Sequence, residues 1–511
     1  MNKLLIKNAT IINEGKRSSK DIYIEGEFIK EIKSNIEIDD EIETINAKGF
    51  LVIPGMIDDQ VHFREPGLTH KGDIRTESQA AIAGGVTSYI EMPNTIPNTT
   101  SIEEFNKKIQ TASNNSFSNF SFMFGGTNDN IDEIKKIDKS EVAGIKLFLG
   151  SSTGKMLIDN LQAIENIFNS TSLPISAHCE DEQTIKDNTD YFIDLYDKDI
   201  PMEIHPKIRS EKACFKSSQF AVKLAKKTGA RLNVFHISTA KELSLFDNTA
   251  QVKDKNITAE VCAHHLWFTD KDYKEMGSRI KWNPAIKTQS DKDALWKAIN
   301  DDKIDIIASD HAPHTEEEKN NKYLNCPSGG PMVQHTILSL LQNCEKYGVS
   351  IEKIVEKISH NPSIIFEINK RGFLREGYYA DLVLIDINKS WTVNKDNIFI
   401  NPTFPRKSVF DATADNIERL YPSLWNVTTT NVTSNATYAE VPASTVEILT
   451  SYVQNSTGDQ YTSAGIELLR NFPPSSTNTA VQFYNTATGK TVHLVVKRRF
   501  VRPHLYTYRK L

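Results

Sequence analysis

Eight short apolar runs, each ending near a polar or titratable residue and most followed by a stretch of helical character, recur between Met56 and Ala308. They are Met56–Phe63, Thr87–Met92, Phe117–Gly125, Ala143–Leu149, Leu173–His178, Arg231–His236, Ile257–Val261 and Ile304–Ala308. Short runs that are apolar on both faces read as buried strands, and their alternation with helices is the rhythm of βα units around a parallel sheet. Eight of them in about 255 residues is the size of a (β/α)₈ TIM barrel, whose functional groups sit at the carboxyl ends of the strands. His62, Asn94, Lys146, His178, His236 and Asp310 lie at or near those ends.

Before the barrel, residues 1–54 alternate apolar and polar in short runs: Leu4 to Ile12, Asp21 to Ile24 and Phe28 to Ile32. Period two predicts a small β-domain. The barrel is expected over 55–368. Within 369–400, Gly377 to Asp386 returns to strand character and is expected to pair with the amino-terminal segment, completing the same flanking β-domain. Residues 401–511 form a tail rich in Thr, Ser and Asn. There, Ala480 to Tyr484 and Thr491 to Val496 alternate around Asn485-Thr486-Ala487-Thr488-Gly489, which predicts a β-rich appendage.

Hydrophobic residues make up 39% of the 511 and charged residues 25%, the usage of folded globular proteins, which excludes disordered and collagen-like classes. A net charge of -6 speaks against nucleic acid or an anionic membrane as partner and for a small-molecule substrate. The five cysteines include no C-x-x-C pair, so reduced, mostly buried thiols are expected. Met1-Asn2-Lys3-Leu4-Leu5-Ile6-Lys7 offers neither a secretory h-region nor a span, and a cytoplasmic location is expected.

His62, His178, His236 and Asp310 form the imidazole and carboxylate set with which hydrolases hold divalent metals; a two-metal site also needs a bridging anion. A single histidine at a strand end is more often a core residue or substrate contact, but four such positions on separate strands point to ligation. Lys146, in Gly144-Ile145-Lys146-Leu147-Phe148-Leu149, lies in an otherwise apolar run, where an uncompensated ammonium is costly. Two readings are open: an internal ion pair, or a lysine carbamylated by CO₂ (N6-carboxylated), which would supply the bridging carboxylate.

Pro54-Gly55-Met56-Ile57-Asp58, His62-Phe63-Arg64-Glu65-Pro66-Gly67, Met92-Pro93-Asn94-Thr95, Gly144-Ile145-Lys146, His178-Cys179-Glu180-Asp181, His236-Ile237-Ser238 and Asp310-His311-Ala312-Pro313-His314 together resemble the dihydroorotases of the amidohydrolase superfamily. The resemblance runs from the amino terminus to about residue 398. It implies a zinc centre that interconverts N-carbamoyl-L-aspartate and L-dihydroorotate in pyrimidine (UMP) biosynthesis. Carried onto this chain, His62, carbamylated Lys146 and Asp310 would serve one Zn²⁺, and Lys146, His178 and His236 the other. Asp310 would shuttle the proton from the nucleophilic water to the leaving ring nitrogen. Arg64 would take the substrate carboxylate in the bidentate fashion that suits a guanidinium. Asn94 and His314 would complete that pocket, and Asn283, Ser328 and Gly329 would touch the ring. The expected partners are a further copy of the chain and aspartate transcarbamoylase.

Two features depart from this pattern. Most of the superfamily carries His-x-His at the end of the first strand, whereas this chain reads Gln60-Val61-His62. A neutral amide oxygen is a weaker ligand than imidazole, so one zinc ion and two are both left as alternatives. Asp59 is a candidate substitute ligand, and Asp58 is expected to orient an imidazole. The strand pair that usually ends such chains is not found after Asn397. Competing readings are a related cyclic amidohydrolase (allantoinase or dihydropyrimidinase) and a catalytically inactive dihydroorotase-like scaffold subunit. Arg64 speaks against the first, because a substrate without that carboxylate gives it no partner; the remaining ligands speak against the second.

Overall fold

The computed structural model describes residues 3–38, 42–150, 156–389, 425–431, 478–485 and 490–498. The chain opens with β1 (Lys3–Asn13), β2 (Lys16–Glu25), β3 (Phe28–Lys33), β4 (Glu43–Asn46) and β5 (Leu51–Pro54). Asn13 pairs with Lys16 across Glu14-Gly15, both at positive φ, as a two-residue turn that follows the strand twist requires. Alternation, reset in β1 by a register shift between Ile6 and Ala9, puts Ile6, Ile11, Ile22, Ile24, Ile29 and Val52 into one core. In this sheet β5, β1, β2 and β3 lie side by side in that order, with β4 also on β1. Its last member, β14 (Leu382–Ile385), comes from after the barrel and runs antiparallel to β5. The flanking β-domain is thus closed from both ends, as the alternation and Gly377–Asp386 suggested.

The barrel strands are β6 (Met56–Val61), β7 (Val86–Glu91), β8 (Asn119–Gly125), β9 (Gly144–Phe148), β10 (Ile175–His178), β11 (Leu232–Val234), β12 (Ile257–Cys262) and β13 (Ile306–Ala308). All neighbours are parallel, in chain order. A parallel bridge between Val61 and His311 closes the ring, with His62 N donating to His311 O at 2.7 Å. His311 also bonds Glu77 of the first barrel helix, Nε2 to Oε2 at 2.6 Å, which braces the seam. Helices that return between strands start on side-chain caps, among them Asp73, Ser101, Asn160, Asp181, Ser210 and Thr288, each accepting a backbone N–H of the first turn.

In the tail, β15 (Trp425–Asn431), β16 (Asn478–Asn485) and β17 (Lys490–Arg498) form an antiparallel sheet with β17 central. The pair β16 and β17 lies where the alternation predicted it. The rest of 390–511, including the stretch directly after Asn397, lies outside the described residues. No described helix is long and apolar enough to cross a membrane. All five cysteines are unpaired and buried.

Candidate active site

His62, one residue past β6, places Nδ1 2.7 Å from Asn94 Oδ1 and Nε2 3.3 Å from Asp310 Oδ1. The amide oxygen only accepts, so Nδ1 carries the ring hydrogen and Nε2 turns a lone pair toward Asp310. Burial, then the Arg64 and Lys146 charges, hold His62 well below its ordinary pKa, so the ring is neutral. Two acceptors facing each other at this distance call for a proton or a cation between them. Burial raises Asp310 to about 7, against the pull of Lys146, His178 and Arg64.

Gln60 contributes its nitrogen rather than its oxygen: Nε2 donates to Asp310 Oδ1 at 3.2 Å, and Oε1 accepts from Cys262 Sγ at 3.6 Å. The residue standing where a ligand was expected is a hydrogen-bond donor to a neighbouring candidate ligand.

On the opposite side, His178 Nδ1 and His236 Nε2 lie 3.0 Å apart. His178 Nε2 meets Glu180 Oε2 at 3.1 Å, and Glu180 is paired in turn with Arg209. Burial alone would raise Glu180; Arg209 and His178 outweigh it and hold the carboxyl at about 2. A carboxylate there favours the His178 proton on Nε2 and leaves Nδ1 facing His236, the arrangement common behind metal-ligating imidazoles. A Cβ on Gly150 would come within 2.1 Å of Glu180 O, so glycine is what lets the end of β9 pass this loop.

Lys146, on β9, is fully buried with Nζ 3.8 Å from the Phe235 ring centroid and 5.0 Å from that of Phe148. Nζ has no hydrogen-bond partner, and no carboxylate reaches ion-pair distance among the described residues. The internal ion pair therefore finds no counter-ion. Burial lowers Lys146 to about 8 despite the opposing charges of Glu260 and Asp310.

Zinc ligands at about 2.0–2.1 Å in tetrahedral array stand roughly 3.3 Å from one another, close to both the His62–Asp310 and the His178–His236 separations. Each pair supplies two donors, and no three His, Cys, Asp or Glu converge among the described residues. A carbamate on Lys146 is the addition that would give each pair a third. The donor set fits a divalent cation on these terms.

Arg64 is 2% exposed, with φ at 69°. Its Nε donates to Pro313 O at 3.0 Å and Nη2 lies 3.1 Å from His314 Nε2. Among the described residues no carboxylate pairs with it; burial lowers it only to about 10, so it stays charged. His314 Nδ1 faces Lys71 Nζ at 3.2 Å and Glu318 Oε2 at 3.4 Å, and Nε2 reaches Ser328 O at 3.0 Å. Burial first, then Arg64, lowers His314 to about 3. Gly329, at φ +133°, follows Ser328. Asn283 makes no bond to the other candidates, but its Oδ1 is buried without a partner. Arg64, His236 and Asp310 all hold positive φ, strain that surrounding structure must impose.

Two expectations are corrected. Asp58 orients no imidazole: its Oδ1 accepts from Ser309 N at 3.1 Å and Gln60 N at 3.4 Å, tying β6 to the end of β13. Asp59 faces Glu260 rather than the histidines, and takes Asn233 Nδ2 at 3.3 Å. Burial, then mutual repulsion, raises Glu260, and burial raises Asp59, so the pair holds a proton. Glu260 was missed, though it interrupts the apolar run Ile257–Val261 just as Lys146 interrupts its own. Arg209, Lys71 and Glu318 were missed with no comparable signal.

Residues 49–242 match the dihydro-orotase-like family and residues 211–412 the amidohydrolase family. The chain is 31% identical over 402 residues to a dihydroorotase of Methanosarcina mazei, covering 76% of this chain and 87% of that one. Against a dihydroorotase of Clostridium acetobutylicum it is 30% identical over 398 residues, covering 77% and 92%. Among solved structures, an L-hydantoinase (dihydropyrimidinase) from Arthrobacter aurescens superposes with a TM-score of 0.74 at 25% identity, over 78% of this chain and 90% of that one. A dihydropyrimidinase from Brevibacillus agri, at 21% identity and TM-score 0.71 over 78% and 89%, shares the fold.

Proposed function

The chain belongs to the dihydroorotase family, and from that premise we propose that it interconverts N-carbamoyl-L-aspartate and L-dihydroorotate, as a cytoplasmic step of pyrimidine biosynthesis. The observation that carries the reading is Arg64: a buried guanidinium that no carboxylate of the described residues reaches at ion-pair distance can take an anion from outside. Dihydroorotate brings a carboxylate that a guanidinium can grip in bidentate fashion. A hydantoin or ureide ring lacking that group would leave Arg64 unpaired, which disfavours the activity named for the solved neighbours.

His62, carbamylated Lys146, His178, His236 and Asp310 would hold one or two zinc ions. When bound, such an ion polarises the amide carbonyl and eases the loss of a proton from water. Asn94 fixes the His62 tautomer and Glu180 that of His178, so both lone pairs are aimed before any ligand arrives. Asp310, near 7 by burial, takes the proton of the attacking water at neutral pH and passes it to the ring nitrogen as the amide opens. Arg64, Asn94 and His314 bind the substrate carboxylate, while Asn283, Ser328 and Gly329 border the ring. In the cyclising direction Asp310 takes the proton from the attacking carbamoyl nitrogen and gives it to the hydroxyl that leaves as water. Assembly as a homo-oligomer, alone or with aspartate transcarbamoylase, belongs to the same proposal.

The test is ring opening of L-dihydroorotate by the purified full chain across a zinc titration, with hydantoin and dihydrouracil as competitors. Turnover restricted to dihydroorotate supports the reading. No turnover at any zinc level, with folded protein, turns it toward the inactive scaffold.

A further inference from the structure

Lys319 is neither a candidate metal ligand nor a candidate substrate contact, and its environment is unusual. It ends the single helical turn Glu316–Lys319, capped by Thr315, and is 8% exposed. Its Nζ donates to three backbone carbonyls: Gly329 O at 2.8 Å, Pro327 O at 3.0 Å and Lys281 O at 3.3 Å. An ammonium has three donors, and all three are used. No carboxylate pairs with it among the described residues, and burial draws it down to about 7. Sequestering a cation with carbonyls alone is costly when an aliphatic side chain could fill the same space, so the gain must lie in what the three bonds hold together.

The three carbonyls come from two separate segments. Lys281 immediately precedes Trp282-Asn283, whose Asn283 Oδ1 is buried and without a partner. Pro327 and Gly329 flank Ser328, whose carbonyl lies 3.0 Å from His314 Nε2, the same nitrogen that Arg64 Nη2 approaches at 3.1 Å. The two segments also touch through Gly329 N and Lys281 O at 2.8 Å. Lys281 reaches back with its own Nζ to Tyr323 O at 2.7 Å and Cys326 O at 2.5 Å. A Cβ on Gly329 would lie 2.5 Å from Ala312 O, so this loop is set hard against the segment that follows Asp310.

We propose that Lys319 is a positioning residue, its buried ammonium tying the Lys281–Asn283 segment to the Pro327–Gly329 loop so that the two walls of the ring pocket keep a fixed spacing. The link to substrate rests on the dihydroorotase reading; the clamp itself does not. Lys319→Met in the full chain is therefore followed by two readouts. Amide hydrogen exchange should quicken by about tenfold or more in peptides spanning 280–286 and 326–332 together, while β11 keeps its protection. In ring opening of dihydroorotate, KM should rise by about tenfold with kcat within about threefold of the parent. Lys319→Gln keeps two of the three donors and should fall between the two on both measures, which preserves the comparison should the Met variant not fold. Unchanged exchange in either segment overturns the clamp whatever the substrate is. Faster exchange with an unchanged KM overturns its link to the ring pocket. A parent chain without dihydroorotate turnover counts against the proposed function and leaves the exchange result to decide on Lys319.

Discussion

Gln60 and Asp310 meet across the seam between the first and last barrel strands, amide nitrogen to Oδ1 at 3.2 Å, with Cys262 Sγ holding the amide oxygen on the far side. A carboxylate only accepts, so this orientation is the one its neighbours impose. The substitution that removes a candidate ligand therefore adds a donor to the residue proposed to carry the proton.

A donor to a carboxyl favours its ionised form. Gln60→Leu is expected to raise the Asp310 pKa above about 7. Ring opening needs Asp310 as a base, so the acid limb of the kcat/KM profile should move to higher pH, by about one unit for a bond to a charged group. A limb that stays in place would show that Gln60 does not act on Asp310.

Glu180 links His178 to Arg209, and its value of about 2 lies below the ordinary 4.5. A depressed carboxyl stabilises the fold above its unfolded pKa, and that contribution disappears as pH falls through the folded one. Glu180→Gln should thus weaken the fold by on the order of 3 kcal/mol near neutral pH. The deficit should shrink between pH 4.5 and 2, as read from urea unfolding of both proteins at several pH values. A deficit equal at both ends would assign the loss to packing.

All eight barrel strands were legible because each is buried on both faces and so reads as a short apolar run. Candidate ligands showed up as polar residues at the ends of those runs, and Lys146 as a charge inside one. Glu260 gives the same signal as Lys146, but its partner Asp59 lies on a different strand, so the run alone does not show what the carboxyl faces. Asp58 was misread for a different reason: its partner, Ser309 N, is a backbone group 251 residues away. Lys319 is invisible on the same ground, since its three acceptors are carbonyls and carbonyls have no residue identity.

Lys146 should be carbamylated. With burial holding its amine near 8, a substantial neutral fraction exists at physiological pH. Its nitrogen lone pair can then add to CO₂, forming the N–C bond and releasing one proton. Chain equilibrated with ¹³C-bicarbonate should show a carbamate carbon by NMR that is absent from Lys146→Met. Bound zinc should fall at least about tenfold in the variant, as expected for loss of a group that orients or completes a metal site. Full zinc content in Lys146→Met would remove it from the metal centre.

Arg64→Met separates stability from binding. The parent buries a charge with no ion-pair partner among the described residues, held by one carbonyl and one imidazole. Replacing it with an apolar side chain of similar length gives up two hydrogen bonds of about 1 kcal/mol each, but removes a desolvated cation whose burial costs several kcal/mol. The melting temperature should therefore rise. Substrate binding should weaken by about 2–5 kcal/mol, since the ligand carboxylate would be left desolvated and unpaired, and this would appear as a higher KM for dihydroorotate. A stabilised variant with an unchanged KM would show that the guanidinium does not meet the substrate. A destabilised one would show that its charge is already compensated within the protein.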